Sequence, residues 1–152
     1  MTDYLVWQEG WNTNIPDIDE QHIAMANMLN QIVEVLNHSD KGQKHDHALD
    51  KLLSDFLILT REHFASEEGK MRQIEYPDYA VHKNEHLMLQ AELAQYILEI
   101  KREQSAIDIG TLSALKYWFI AHITGDDKAF ADYYHNKKVR RLKGSDSINT
   151  IV

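Results

Sequence analysis

A chain of 152 residues, 43% hydrophobic and 26% charged, has the size and balance of one soluble domain able to bury a core. The absence of cysteine excludes disulfides, zinc–thiolate sites, cysteine-ligated iron–sulfur clusters and cysteine nucleophiles. A formal charge of −8 argues against nucleic acid or an anionic membrane surface as partner, because neutralisation of phosphates by Lys and Arg supplies most of that affinity.

Residues 1–18 read as an arm carrying Trp7, Trp11 and Pro16. The opening MTDYLVWQEG lacks the basic-then-apolar pattern of a secretory signal. The first predicted helix runs from about Asp19 to Asn37, capped by Asp17 or Asp19, with the stripe His22, Met25, Leu29, Ile32, Leu36. A polar break, HSDKGQKHD, comes next. The second helix covers about 46–73, with Leu49, Leu52, Phe56, Thr60, His63, Glu67 and Met71 on one face. EYPD ends it: Pro77 disfavours helix in the residue before it, and Asp78 can cap the next helix. The third helix covers about 79–103 and its stripe is His82, His86, Leu89, Leu93, Ile97, Ile100. After EQSAIDIG, the fourth covers about 109–136, with Leu112, Leu115, Phe119, His122 and Phe130 inward. Residues 137–152 read as a tail that starts basic and ends polar. No apolar run approaches the ~20 residues of a membrane span. The expectation is one all-α domain over 1–152, an antiparallel up-down-up-down four-helix bundle with an N-terminal arm, cytoplasmic, monomeric and without membrane insertion.

Nine histidines are the unusual figure, and their positions matter more than their number. A lone His on an apolar face is usually a hydrogen-bonded core residue. Here each of the four stripes carries at least one. His22 opens the first helix, His63 and Glu67 lie late in the second, His82 and His86 open the third, and His122 lies late in the fourth. In an antiparallel bundle the start of one helix sits beside the end of the next, so all of them meet at one level. Imidazoles and a carboxylate desolvated together are costly without a partner. A metal removes that cost, since neutral imidazole and carboxylate are natural donors to iron or manganese. There are too many imidazoles for a single structural zinc, which takes four ligands. The Glu-x-x-His pairs of ferritin-like bundles are absent from the sequence. The remaining histidines read as surface groups: His38, His45 and His47 in the polar break, and His135 at the end of the fourth helix. A further carboxylate comes from HITGDD, where Asp126 stands four residues from His122 and Asp127 five. Ideal helical rotation prefers Asp126, because a step of five turns the side chain about 140° away.

The pieces IPDIDEQH, HFASEE, YPDYAVHKNEH and WFIAHITGDD, spread over residues 15–127, resemble the bacteriohemerythrins, the bacterial branch of the hemerythrin family. The family's last motif, His-Ile followed by three residues and Asp, implies Asp127 rather than Asp126, with a local bulge or bent side chain absorbing the extra residue. The resemblance implies two irons, one held by His82, His86 and His122 and the other by His22 and His63. Glu67 and Asp127 would bridge them, together with an oxo or hydroxo group, leaving one coordination position open for dioxygen. Trp118, Phe119 and Ile123 would flank that position, although each also reads as ordinary core packing. The family often has Leu where Phe119 stands. The function implied is reversible dioxygen binding for storage or for delivery to an oxygen-using enzyme, with no catalysis. An oxygen or redox sensor and a di-iron oxidase or peroxidase are the competing readings.

Overall fold

A computed structural model describes residues 4–38, 47–102 and 109–148. After a 3-10 turn at Glu9–Trp11 come α1 (Pro16–His38), α2 (His47–Gln73), α3 (Tyr79–Arg102), α4 (Ile109–Thr124) and α5 (Asp126–Ile148). Consecutive helices pack on one another, α1 on α2, α2 on α3, α3 on α4. The first three fall within a few residues of the predicted segments. The predicted fourth helix is two helices, broken at Gly125, and the second continues well past residue 136 into the expected tail. His38 and His47, expected in the polar break, are the last residue of α1 and the first of α2. His45 lies outside the described residues.

Helix α1 begins at Pro16, earlier than predicted, because proline is tolerated where the N–H has no helical partner. Asp19 does not cap the helix start. Its carboxylate accepts from Thr13 N–H and Thr13 Oγ1, both at 2.7 Å, and from Asn14 N–H at 2.9 Å. These bonds hold the arm's exit turn, where Asn14 sits at φ 59°. Helix α2 ends in a Schellman turn: Tyr76 N–H reaches back to Met71 O at 2.9 Å and Glu75 N–H to Arg72 O at 3.2 Å. Glu75 takes the left-handed conformation there, φ 53°, which costs a non-glycine residue roughly 1–2 kcal/mol.

The arm is pinned to the bundle. Trp7 and Trp11 meet edge to face at 5.4 Å and pack on the core. The Asn30 side chain clasps Leu5, accepting from its N–H and donating to its carbonyl, both at 2.8 Å. Lys128 and His135 hold the arm from the other side through the carbonyls of Asn12 and Thr13.

Two apolar clusters form. The larger holds Met25, Leu29, Ile32, Leu53, Phe56, Phe64, Leu93 and Phe119; the smaller holds Ile15, Ile18, Met71, Ile74, Tyr76 and Phe130. Along each rod the polar residues fall between members of these two groups: His22 between Ile18 and Met25, His63 and Glu67 between Phe56 and Met71, His82 and His86 between Tyr76 and Leu93, His122 and Asp127 between Phe119 and Phe130. Apolar packing at both ends fixes the depth at which the polar layer lies.

Candidate metal centre

His22, His63, Glu67, His82, His86, His122 and Asp127 converge in that layer, and none is more than 4% exposed. His22 comes from α1, His63 and Glu67 from α2, His82 and His86 from α3, His122 from α4, and Asp127 from the first turn of α5. His63 and Glu67, like His82 and His86, are four apart on one helical face.

All five rings turn Nε2 inward. Asp127 stands between two groups of them. Its Oδ1 lies 3.0 Å from His122 Nε2 and 3.3 Å from His82 Nε2. Its Oδ2 lies 2.9 Å from His22 Nε2 and 3.7 Å from His63 Nε2. Glu67 Oε2 lies 3.2 Å from His86, 3.6 Å from His82 and 3.8 Å from His63. Two sets of donor atoms result, Glu67–His82–His86–His122–Asp127 and His22–His63–Asp127, with Asp127 common to both. Asp126, which ideal helical rotation favoured, is half-buried, stands outside both donor sets and lies beside Glu85 instead.

The fit to a metal is testable on the polar atoms themselves. Both oxygens of Glu67, Asp127 Oδ1, and Nε2 of His82, His86 and His122 are buried without a hydrogen-bond partner. They approach one another closely but not along hydrogen-bond directions. Donors ~2.1 Å from a common six-coordinate ion stand about 3 Å apart, which is the spacing observed around Asp127. An orphaned buried carboxylate costs several kcal/mol, so the arrangement fits a bound cation. With five nitrogens, two carboxylates and no thiolate, the set suits iron, manganese or a neighbouring transition metal.

Electrostatics prepares the same chemistry. Burial, reinforced by neighbouring imidazoles, pushes His63 down to about 4 and His86 down to about 2, so both are neutral lone-pair donors at pH 7. Burial, and then the charge of Asp127, raises Glu67 to about 8. Burial opposes the charge on Asp127, but His122 and the other imidazoles win and hold it well below the usual carboxylate range. Burial likewise opposes charge on His82, but Asp127 and Glu67 raise it to about 10.

Partners that the sequence did not reveal orient two of the rings. His63 Nδ1 faces Gln21 Oε1 and His86 Nδ1 faces Glu68 Oε1, each at 2.9 Å. An Nδ1–H donated outward leaves the Nε2 lone pair pointing inward. Both residues adjoin a ligand-type residue in sequence, Gln21 before His22 and Glu68 after Glu67, but each serves a different ring, a relation only the tertiary fold creates. Phe64 was also missed as a wall: it stacks on His86 at 3.9 Å and 7° and meets His122 edge-on at 5.1 Å. Trp118, Phe119 and Ile123 are buried in the larger cluster, with Trp118 Nε1 donating to Leu89 O at 3.1 Å. Trp7 lies 6.2 Å from the His22 ring, closer to the site than the sequence suggested.

Comparison with known proteins agrees with this arrangement. The family description "Hemerythrin HHE cation binding domain" matches residues 13–134. The bacteriohemerythrin of Stenotrophomonas maltophilia (strain R551-3) is 34% identical over 84% of this chain and 80% of its own length. The myohemerythrin of Riftia pachyptila is 24% identical over 80% of this chain and 87% of its own. The solved structure of a hemerythrin L114A mutant superposes with a TM-score of 0.74 at 23% identity, covering 88% of this chain and 98% of that one, which establishes the bundle fold. Among the described residues no helix is long and apolar enough to cross a membrane. With a four-rod bundle, a buried histidine–carboxylate layer and a family match over most of its length, the chain belongs to the hemerythrin family.

Proposed function

We propose that this protein binds dioxygen reversibly at a pair of irons, for storage or for delivery to an oxygen-using enzyme in the cytoplasm. His82, His86 and His122 would hold one iron and His22 and His63 the other, with Glu67, Asp127 and a solvent-derived oxo or hydroxo group between them. Irons held by these residues would supply the reversible redox chemistry that dioxygen binding requires. The observation that carries the reading is the set of seven buried histidine and carboxylate residues that meet at Asp127 from five helices, several of their inward atoms without a hydrogen-bond partner.

The remaining chemistry belongs to the chain's own residues. Gln21 and Glu68 fix ring orientation, so the donor set is held before any ion arrives. Phe64, Trp118, Phe119 and Ile123 keep the surroundings apolar, which excludes the water and protons that would make binding irreversible. With only two carboxylates against five neutral imidazoles, the site carries little negative charge and favours low oxidation states, the condition for binding rather than oxidation of a substrate. Iron analysis with optical spectra through repeated cycles of oxygen and vacuum tests the reading. The expected result is two irons per chain and a visible charge-transfer band that returns unchanged. A band that vanishes as an added co-substrate is consumed identifies an oxidase or peroxidase instead.

Metal uptake in this geometry must release protons. In the metal-free protein at pH 7, Glu67 near 8 and His82 near 10 are predominantly protonated. A cation must displace both protons. Calorimetric uptake of ferrous ion in buffers of different ionisation enthalpy should therefore show net release of at least about two protons per chain, with more from the solvent-derived hydroxo group and from His122, where burial opposes the charged ring but Asp127 outweighs it. Apparent affinity should rise with pH through about 8, where Glu67 ionises, and on toward about 10, where His82 loses its proton. Uptake without proton release would exclude Glu67 and His82 as ligands.

A further inference from the structure

The far end of α5 is not used by the metal centre, yet it holds the densest charge in the molecule. Residues 137–143, KKVRRLK, contain five of the 16 Lys and Arg in a chain of net charge −8. Cations three and four apart on a helix repel, but α5 runs through them to Ile148. Some of that repulsion is met locally. The Lys137 ammonium donates to the Ile74 carbonyl, lies 3.5 Å from Glu75 Oε2, and sits 5.9 Å from the Tyr133 ring centre. Lys138 lies 5.6 Å from the centre of the Tyr134 ring. Arg140 and Arg141 are different: among the described residues the Lys and Arg ion pairs are Lys51–Asp55, Lys70–Asp17 and Lys137–Glu75, and neither guanidinium belongs to one.

Both arginines line a cleft of about 490 Å³, together with Tyr133, Asn136 and Lys137. Every one of these side chains can donate a hydrogen bond and none is a carboxylate. A smaller cleft of about 140 Å³ shares Lys137 and Arg141 and reaches Gln73 and Ile74 at the end of α2. We propose that the larger cleft is a binding site for a multiply charged phosphate group. Two planar guanidiniums match phosphate oxygens in pairs, and an ammonium adds a point charge. The phenol and the amide are neutral donors that fix orientation. Lys137 is already paired with Glu75, so a single carboxylate would balance only one of the two guanidiniums, whereas a phosphate carrying two or more charges would balance both. Occupancy would also relieve the repulsion along α5. Lys137 is ten residues beyond Asp127, about 15 Å along the helix axis, so the cleft is separate from the metal layer.

The phosphate can come from a free soluble compound or from a lipid headgroup, and the test separates the two. Pyrophosphate is titrated calorimetrically into the full iron-loaded chain at about 0.1 M salt, where exposed charges are screened beyond about 10 Å. The expected result is saturable binding at one site, weakened at least about tenfold in R140Q/R141Q, since two charge-assisted contacts are lost. The K51Q variant, which alters an ion-paired lysine on α2, should match the parent. Gln keeps the helix propensity of Arg, and R141Q alone serves if the double variant folds poorly. Co-sedimentation with phosphatidic acid vesicles, against neutral phosphatidylcholine, forms the second arm. Sedimentation that the arginine variants abolish identifies a headgroup as the source; pyrophosphate binding without sedimentation identifies a free compound. The proposal fails if neither probe binds saturably, or if binding survives in the arginine variants. Iron content, measured on the same samples, keeps this outcome distinct from that of the functional reading.

Discussion

Replacing Asp127 by alanine is expected to remove the metal pair altogether, whereas Asp126→Ala should leave it intact. The two residues are adjacent and identical, so composition, net charge and helix propensity are controlled within the pair. Asp127 is fully buried, with Oδ1 facing His82 and His122 and Oδ2 facing His22 and His63. Its deletion leaves both nitrogen groups without their shared anion. Asp126 is half-buried, and its carboxyl beside Glu85 raises the pKa of Glu85. Losing Asp126 therefore relieves a repulsion and touches no imidazole. Iron per chain after anaerobic loading and desalting should fall from two to less than about one in D127A, and stay at two in D126A. Thermal unfolding of loaded samples should show the same order, with D127A less stable by roughly 3–5 kcal/mol, the usual cost of breaking a buried charged cluster. Equal iron retention in both variants would assign the bridging role to neither residue.

This contrast also marks how far the sequence could be read. Apolar periodicity placed α1, α2 and α3 within a few residues of their observed ends, because their stripes are long and bounded by strong breaks. It put the histidines at a common depth for the same reason: the rods are antiparallel, and each carries apolar clusters on both sides of its polar residues. The interruption at Gly125 was not legible. One glycine inside an otherwise helical pattern costs only about 1 kcal/mol and leaves the stripe unbroken. The helical tail was missed because KKVRRLK has no apolar periodicity, and its order comes from contacts with Tyr133, Tyr134 and the end of α2. His135 read as a helix-end cation, but it lies within α5 and faces the Thr13 carbonyl of the arm. Gln21 and Glu68 stayed hidden because their partners are 42 and 18 residues away in the chain. Spacing alone favoured Asp126 because it assumes an unbroken helix; across the break at Gly125 it is Asp127 that lies among the imidazoles.

Gly125→Ala should consequently disturb the metal centre as much as the loss of a ligand would, although Gly125 touches no metal-facing atom. Helical hydrogen bonding continues to Gly125 N–H, which reaches Ala121 O at 3.0 Å, and resumes with Ala129 N–H on Gly125 O at 3.1 Å. The helix is interrupted at Gly125 between these bonds, and across that junction Asp127 rather than Asp126 lies beside His122. A Cβ on residue 125 would stand 2.9 Å from the Ala121 carbonyl oxygen, a backbone atom that no side-chain rotation can move away. The chain must then open the junction or straighten it into one continuous helix. Straightening would turn Asp127 about 140° from His122 and bring Asp126 to about 40°. The expected result is iron content reduced to one or none per chain and a destabilisation of about 1–3 kcal/mol, the range for overpacking at a site that cannot relax freely. Far-UV circular dichroism should show helix content kept or slightly raised, which separates a change of register from unfolding. Adding D127A to G125A tests the mechanism directly: once Asp127 has rotated out of the layer, its removal should cost little further iron, whereas in the parent it costs nearly all. Additive losses from the two substitutions would mean that Gly125 supports the centre by some route other than the register of Asp127.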